Sequence, residues 1–403
     1  MSTSSERSGM VATRDGHRVT PAELFFDLVF VYAITQVTAL MAAHVSVGRV
    51  LGALVVLALL WWCWCCFAWL GNVVRADTGA LFAVLVTVMA VVQIVSLVVP
   101  GVFTHADGGL PAPLTFVLCY GAVRLLHLAA YRVAHPDDRA LHRTLRRTAL
   151  LSVGPPFVLL LAGSFLSGAV QVLVWLCAVL VDYAGIYLTG GSGWRVVSPG
   201  HFAERHGLIV IIALGESIVA IGVGVGDFAV TLPVLGAATA GLLAAAALWR
   251  VYFRHVMPEA EHRITGLDGD ARTRFARDVY TFLHLPLVAG VVLTALGIKK
   301  ALHQVADNDH YPLTEPVHGL AAWALTGGAG LFLLGAAAIL LRTVPARRPF
   351  ALLAVGVACL AAGAVVQLVP ALLALVLLAA ALTAVALRSA PARADDDSQQ
   401  DAP

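Results

Sequence analysis

Glu204, Arg205 and His206 stand together in HFAERHGLIVIIALGESIV (201–219), and Glu216 follows twelve residues after Glu204. On one helix those twelve residues cover about 18 Å. That reaches toward the middle of a hydrocarbon core about 30 Å thick. A carboxylate at such depth costs a few kcal/mol and must face protein or water rather than lipid. Desolvation disfavours its ionised form, so it can load and release a proton near neutral pH. Ser217 beside it, with Gly215, Gly222 and Gly224, lets another helix approach closely. The other use of Glu216 is structural, as a permanently protonated or arginine-paired acid. Glu204, Arg205 and His206 would form a gate or orienting cluster at the mouth.

A second polar set lies near the amino terminus. Glu23 and Asp27 are four apart and share one helix face. Acids at a helix entry gain about 0.3–1 kcal/mol from the macrodipole, which could account for both without chemistry. Asp27, however, would sit about 8 Å inside a span that starts at residue 22, and Gln36 continues the polar stripe. Farther on, Arg124 and His127 are three apart and stack on one face. Arg124 cannot shed its proton and needs an anion. Asp182, Glu216 and Asp27 are available, with Asp182 the expected partner. Arg250 and Asp278 are expected to pair near the ends of their spans. His127 and His284, the latter just before Pro286, are either proton relays or core histidines.

These residues need helices in a membrane to position them. Of 403 residues, 60% are hydrophobic and 12% charged, against roughly 25% charged in a soluble domain. Mean hydropathy is +0.86. The pattern predicts an all-α polytopic membrane protein of twelve spans. They fall at about 22–44, 48–72, 79–100, 113–133, 149–165, 167–188, 203–225, 229–253, 278–298, 317–341, 349–368 and 370–388. Residues 1–20 read as a polar tail with no signal peptide, and 390–403, ending in DDDSQQDAP, as a disordered acidic tail. Long charged connections are expected at 134–148 and 254–277.

With the amino terminus inside, 20 of the 26 basic residues fall in inside segments, as the positive-inside rule requires. This predicts a multi-pass membrane protein with both termini in the cytoplasm. Arg49, Lys299 and Lys300 fall outside. The first and seventh spans align at an offset of 180, with LVFVYAITQ over LIVIIALGE and Gln36 over Glu216. Halves at 21–190 and 191–389 would then be parallel six-helix repeats.

Several chemistries are excluded. His201, Glu204 and His206 are not HExxH, and no lysine deep in a span could carry a Schiff base. There is no P-loop and no Rossmann fingerprint. Cys63, Cys65, Cys66, Cys119, Cys177 and Cys359 all lie in apolar segments and read as packing residues. No metal, no cofactor, no catalytic residue and no nucleic-acid partner is expected. The partners are the lipid bilayer and a small solute or ion.

ELFFDLVFVYAITQV (23–37), HFAERHGLIVIIALGESIV (201–219) and YTFLHLPLVAGVVLTALG (280–297) resemble the bacterial low temperature requirement A (LtrA) family of integral membrane proteins. The resemblance runs over roughly 20–390 and implies a link to growth at low temperature, with no catalytic roles to carry over. WWCWCCFAW (61–69) is more cysteine-rich than the family resemblance leads one to expect. The residues favour a secondary transporter or ion-translocating protein with proton coupling, carried by Glu216, Asp27 and Glu23. The competing readings are a membrane-embedded lipid-handling enzyme, using His127, Asp182 and His284, and a non-catalytic scaffold.

Overall fold

Among the described residues of the computed structural model, twelve helices are long and apolar enough to cross a membrane. They are α1 (Pro21–Ala43), α2 (Val47–Val73), α3 (Gly79–Gly101), α4 (Ala112–Ala134), α5 (Arg139–Gly163) and α6 (Gly168–Leu188). There follow α7 (Pro199–Val225), α8 (Leu232–Thr265), α9 (Gly269–Ala306), α10 (Gly319–Thr343), α11 (Phe350–Leu368) and α12 (Ala371–Arg388). The structure describes Thr13, Gly16 and residues 18–388, except 78, 105–108, 190–193 and 344–348. The acidic tail at 390–403, most of the polar tail and Arg347 and Arg348 lie outside the described residues.

Local chemistry sets the helix starts. α1 opens on a capping box. Thr20 Oγ1 accepts from Glu23 N at 3.3 Å, and the Glu23 carboxylate accepts from Thr20 N at 2.9 Å. Pro21, which lacks an N–H, takes the first helical position. α5 starts at Arg139 because the Asp138 carboxylate accepts from Ala140 N and Leu141 N.

The boundaries differ from those expected at three places. Residues 139–148 are helical, with Leu141, Thr144, Leu145 and Thr148 inward and the arginines outward. The stretch 254–277 is also mostly helix, extending α8 and beginning α9, with only 266–268 between them. Charge stopped neither helix, because amphipathic helices continue past the apolar core without a breaker. Lys299 and Lys300, assigned above to an outside loop, lie on α9, which runs on to Ala306.

Among the described residues, three helices contain a π-helical turn, at Ala149–Val153, Tyr252–Val256 and Ala276–Phe282. Each is followed by proline: Pro155 and Pro156, Pro258, and Pro286. Proline cannot donate to a preceding carbonyl, and the wider turn absorbs that fault.

The chain packs as two compact units, Met1–Ile212 with Leu267–Thr281, and Ala213–Gly266 with Phe282–Pro403. In the first, the Trp- and Cys-rich centre of α2 is buried along almost its whole length. In the second, α9 and α10 meet at glycines. A Cβ on Gly297 would lie 2.3 Å from Leu325 Cα, and one on Gly328 would lie 2.4 Å from Thr294 N. Small residues give membrane helices this close approach, where packing replaces the hydrophobic effect.

Candidate functional site

The four-residue spacing of Glu23 and Asp27 on α1 is matched by that of His201 and Arg205 on α7, and the two ladders meet inside the first unit. Arg205 Nη1 donates to Glu23 Oε1 at 2.8 Å, and its Nη2 donates to Asp27 Oδ1 at 2.7 Å. His201 Nε2 lies 3.1 Å from both Glu23 oxygens. Asn72 fixes that ring: its Nδ2 donates to His201 Nδ1 at 3.4 Å, which leaves the imidazole proton on Nε2. Asn72 is itself held, since Oδ1 accepts from Val197 N at 2.7 Å and Nδ2 donates to Ser198 O at 2.6 Å. Trp64 Nε1 donates to Asp27 Oδ1 at 2.8 Å, and the Arg205 guanidinium lies over the Trp64 ring.

Glu23, Asp27, Arg205 and His201 are all at most 2% exposed. Two carboxylates and one guanidinium sum to one negative charge, and a His201 ring whose Nδ1 accepts from Asn72 adds none. Glu23 is saturated by Arg205, His201 and Thr20. Asp27 is not: both its donors converge on Oδ1, and Oδ2 is buried without a hydrogen-bond partner among the described residues. A buried uncompensated charge is costly, and one proton on Oδ2 removes it.

Of the three residues expected as a gate, only Arg205 joins this cluster. Successive helical positions are about 100° apart, so the side chains diverge. Glu204 is half-buried and accepts from Val19 N at 3.2 Å. His206 is fully buried among Phe202, Trp61, Trp64 and Tyr280, with Nδ1 2.8 Å from Phe202 O. Gln36 is half-buried farther along α1.

A second ionic centre of the same unit joins Arg124 of α4 to Asp182 of α6. Tyr120 OH donates to Asp182 and accepts from Arg124 Nη1 at 2.8 Å. Ser152 Oγ donates to the other Asp182 oxygen. Arg124 Nη2 donates to Ser152 O at 3.2 Å. That carbonyl is free because Pro156, four residues on, has no N–H to offer it. Beside this centre runs a cleft of about 60 Å³ lined by Trp62, Trp69, Trp194, His127, Thr148 and Arg277, enough for a few water molecules. His127 Nε2 and Thr148 Oγ1 are buried on its wall, without hydrogen-bond partners among the described residues.

The remaining residues lie apart. Glu216 and Ser217 are buried in the second unit, where the charge of Lys299 couples to Glu216. Ser217 Oγ has no hydrogen-bond partner among the described residues. Arg250 and Asp278, expected as a pair, fall in different units. Arg250 Nε donates to Ala386 O at 3.1 Å, and Asp278 accepts from its neighbour Arg277. His284 is buried in the second unit, 2.9 Å from Tyr252 OH. Sequence reasoning missed His201, Asn72 and Trp64. The matching spacing of four on α1 and α7 was the signal for His201, whereas Asn72 and Trp64 carried none inside an apolar run.

A family model, described as the bacterial low temperature requirement A protein (LtrA), matches residues 18–387. An uncharacterised Rhizobium meliloti (strain 1021) protein, RA0937, is 27% identical over 326 residues, covering 78% of this chain and 75% of its own length. No solved structure matches.

Proposed function

Because the chain belongs to the bacterial low temperature requirement A (LtrA) family, whose description names a low-temperature requirement and no reaction, we propose its function from the site. We propose a proton-coupled secondary transporter in which Asp27 loads and releases the proton. The observation that carries this reading is the charge imbalance around Arg205, with Asp27 Oδ2 as the unpartnered atom.

The cluster works as an exchange of partners. With Asp27 ionised, Arg205 is shared between two acids. With a proton on Oδ2, Asp27 is neutral and Arg205 can pair with Glu23 alone. Glu23 stays ionised throughout, because Thr20 and His201 supply donors besides Arg205. Buried ionisable residues of this kind mark proton and ion pathways in membrane proteins. Glu216, near Lys299, serves in this reading as a second charged station in the other unit. The arginine distribution favours cytoplasmic termini, and membership of a bacterial family of membrane proteins favours the inner membrane as the setting.

Respiring everted vesicles containing the protein test the reading, with a panel of small solutes and an acridine dye reporting the pH gradient. At least one solute should dissipate the gradient with wild type and not with Asp27→Asn. A panel in which wild type and Asp27→Asn behave alike, at equal protein levels, would overturn it. Infrared difference spectroscopy checks the site itself: a protonated-carboxyl band should vanish in Asp27→Asn and persist in Glu216→Gln.

A further inference from the structure

The arginine-rich start of α5 does more than mark topology. Arg139, Arg143 and Arg146 are exposed on α5, and Arg132 is exposed in the last turn of α4. All four line one groove of about 840 Å³ between these helices. None has a carboxylate partner among the described residues. The nearest acid in sequence with a defined contact, Asp138, is spent on capping α5.

The floor of the groove has the opposite character. Leu125 and Leu128 line it on α4, and Leu125 is 62% exposed. Leu125 lies seven residues, or about 10 Å, below Arg132 along the helix. The groove therefore runs from a cationic rim at the end of one membrane helix down an apolar wall facing the hydrocarbon. A free anion needs only the rim. A phospholipid uses both, with its phosphate among the guanidinium groups and an acyl chain along the leucines.

We propose that this groove is a binding site for an anionic phospholipid of the cytoplasmic leaflet. Arginine suits the role because its planar fork can hold phosphate oxygens in pairs. Each basic residue at a membrane surface strengthens attraction to anionic lipid about fivefold. Loss of two should therefore weaken binding about 25-fold.

The test is native mass spectrometry of the purified full chain, titrated with phosphatidylglycerol, cardiolipin or phosphatidylcholine. Wild type should retain phosphatidylglycerol and cardiolipin in preference to phosphatidylcholine. Arg143→Gln with Arg146→Gln should lose about 25-fold in phosphatidylglycerol retention. Arg254→Gln with Arg263→Gln, an equal charge change at exposed positions elsewhere, should lose less than about twofold. Ala129→Trp fills the groove without altering charge and should also release the lipid. Equal loss in both arginine pairs, or no preference over phosphatidylcholine, would overturn the proposal. So would full competition by glycerol 3-phosphate, which would make the site one for a free anion.

Discussion

Replacing Arg205 with glutamine removes the cation of the α1–α7 cluster and leaves Glu23 and Asp27 facing one another in a buried site. At an effective dielectric of about 20, unit charges about 4 Å apart interact by about 4 kcal/mol. Arg205 contacts two carboxylates, so its gross attraction is about 8 kcal/mol. Much of that offsets the several kcal/mol needed to bury a guanidinium. Breaking a buried pair by removing one partner typically costs about 3–5 kcal/mol, and this range is expected for Arg205→Gln near neutral pH. The loss should shrink on acidification, because each proton taken up removes a buried charge that now lacks a counter-ion. A triple variant, Glu23→Gln, Asp27→Asn and Arg205→Met, has no charge to strand and should recover most of the stability. Equilibrium unfolding in mixed micelles, at pH 5 and pH 8 and with matched lipid content, measures all three. If Arg205→Gln unfolds within about 1 kcal/mol of wild type, or its deficit ignores pH, the charge bookkeeping behind the transport proposal is refuted.

Two further outcomes follow from the geometry. A Cβ on Gly71 would stand 2.7 Å from Glu23 Oε1, an atom already held by Arg205 and His201. Gly71→Ala should cost about 1–3 kcal/mol by overpacking, read in the same unfolding assay. Asp138→Ala removes the α5 cap and should cost about 0.5–2 kcal/mol. The Leu141 N–H, foremost, and the Ala140 N–H hold the Asp138 carboxyl below its ordinary value. The cap therefore stabilises the fold fully above the ordinary aspartate range and fades as pH falls through the lowered value. The gap between wild type and Asp138→Ala should be widest near neutral pH and close in strong acid.

The twelve membrane helices were legible in the sequence because each apolar run is long and its flanks are polar or carry Gly and Pro. Helix identity of charged stretches was not. Residues 254–277 look like a loop by hydropathy alone, although the helix does not end before Gly266, because the π turn at Tyr252–Val256 absorbs Pro258. The same blind spot put Lys299 in a loop and so hid the cation that couples to Glu216. The candidate site was legible on the α1 side, where Glu23 and Asp27 announce one polar face. Depth alone favoured Glu216 over Asp27, because depth is computed along a helix. What distinguishes Asp27 is how many donors its two oxygens share, and that depends on Trp64 and Arg205 arriving from other helices. Asn72 shows the same limit: its work is to orient a histidine 129 positions away.

The π turns carry a consequence for reading and editing this chain. Each contains one residue more than an α-helix would need for the same advance. Beyond it, every side chain is rotated by about 100° relative to an uninterrupted helix. A single-residue deletion within Ala149–Val153 would restore regular winding and re-aim Ser152 away from Arg124 and Asp182, while leaving composition and hydropathy almost unchanged. Length variation at these three points is therefore a change of phase rather than of loop size. When related chains are compared, a one-residue gap beside Pro155, Pro258 or Pro286 marks a helix whose faces have been reassigned.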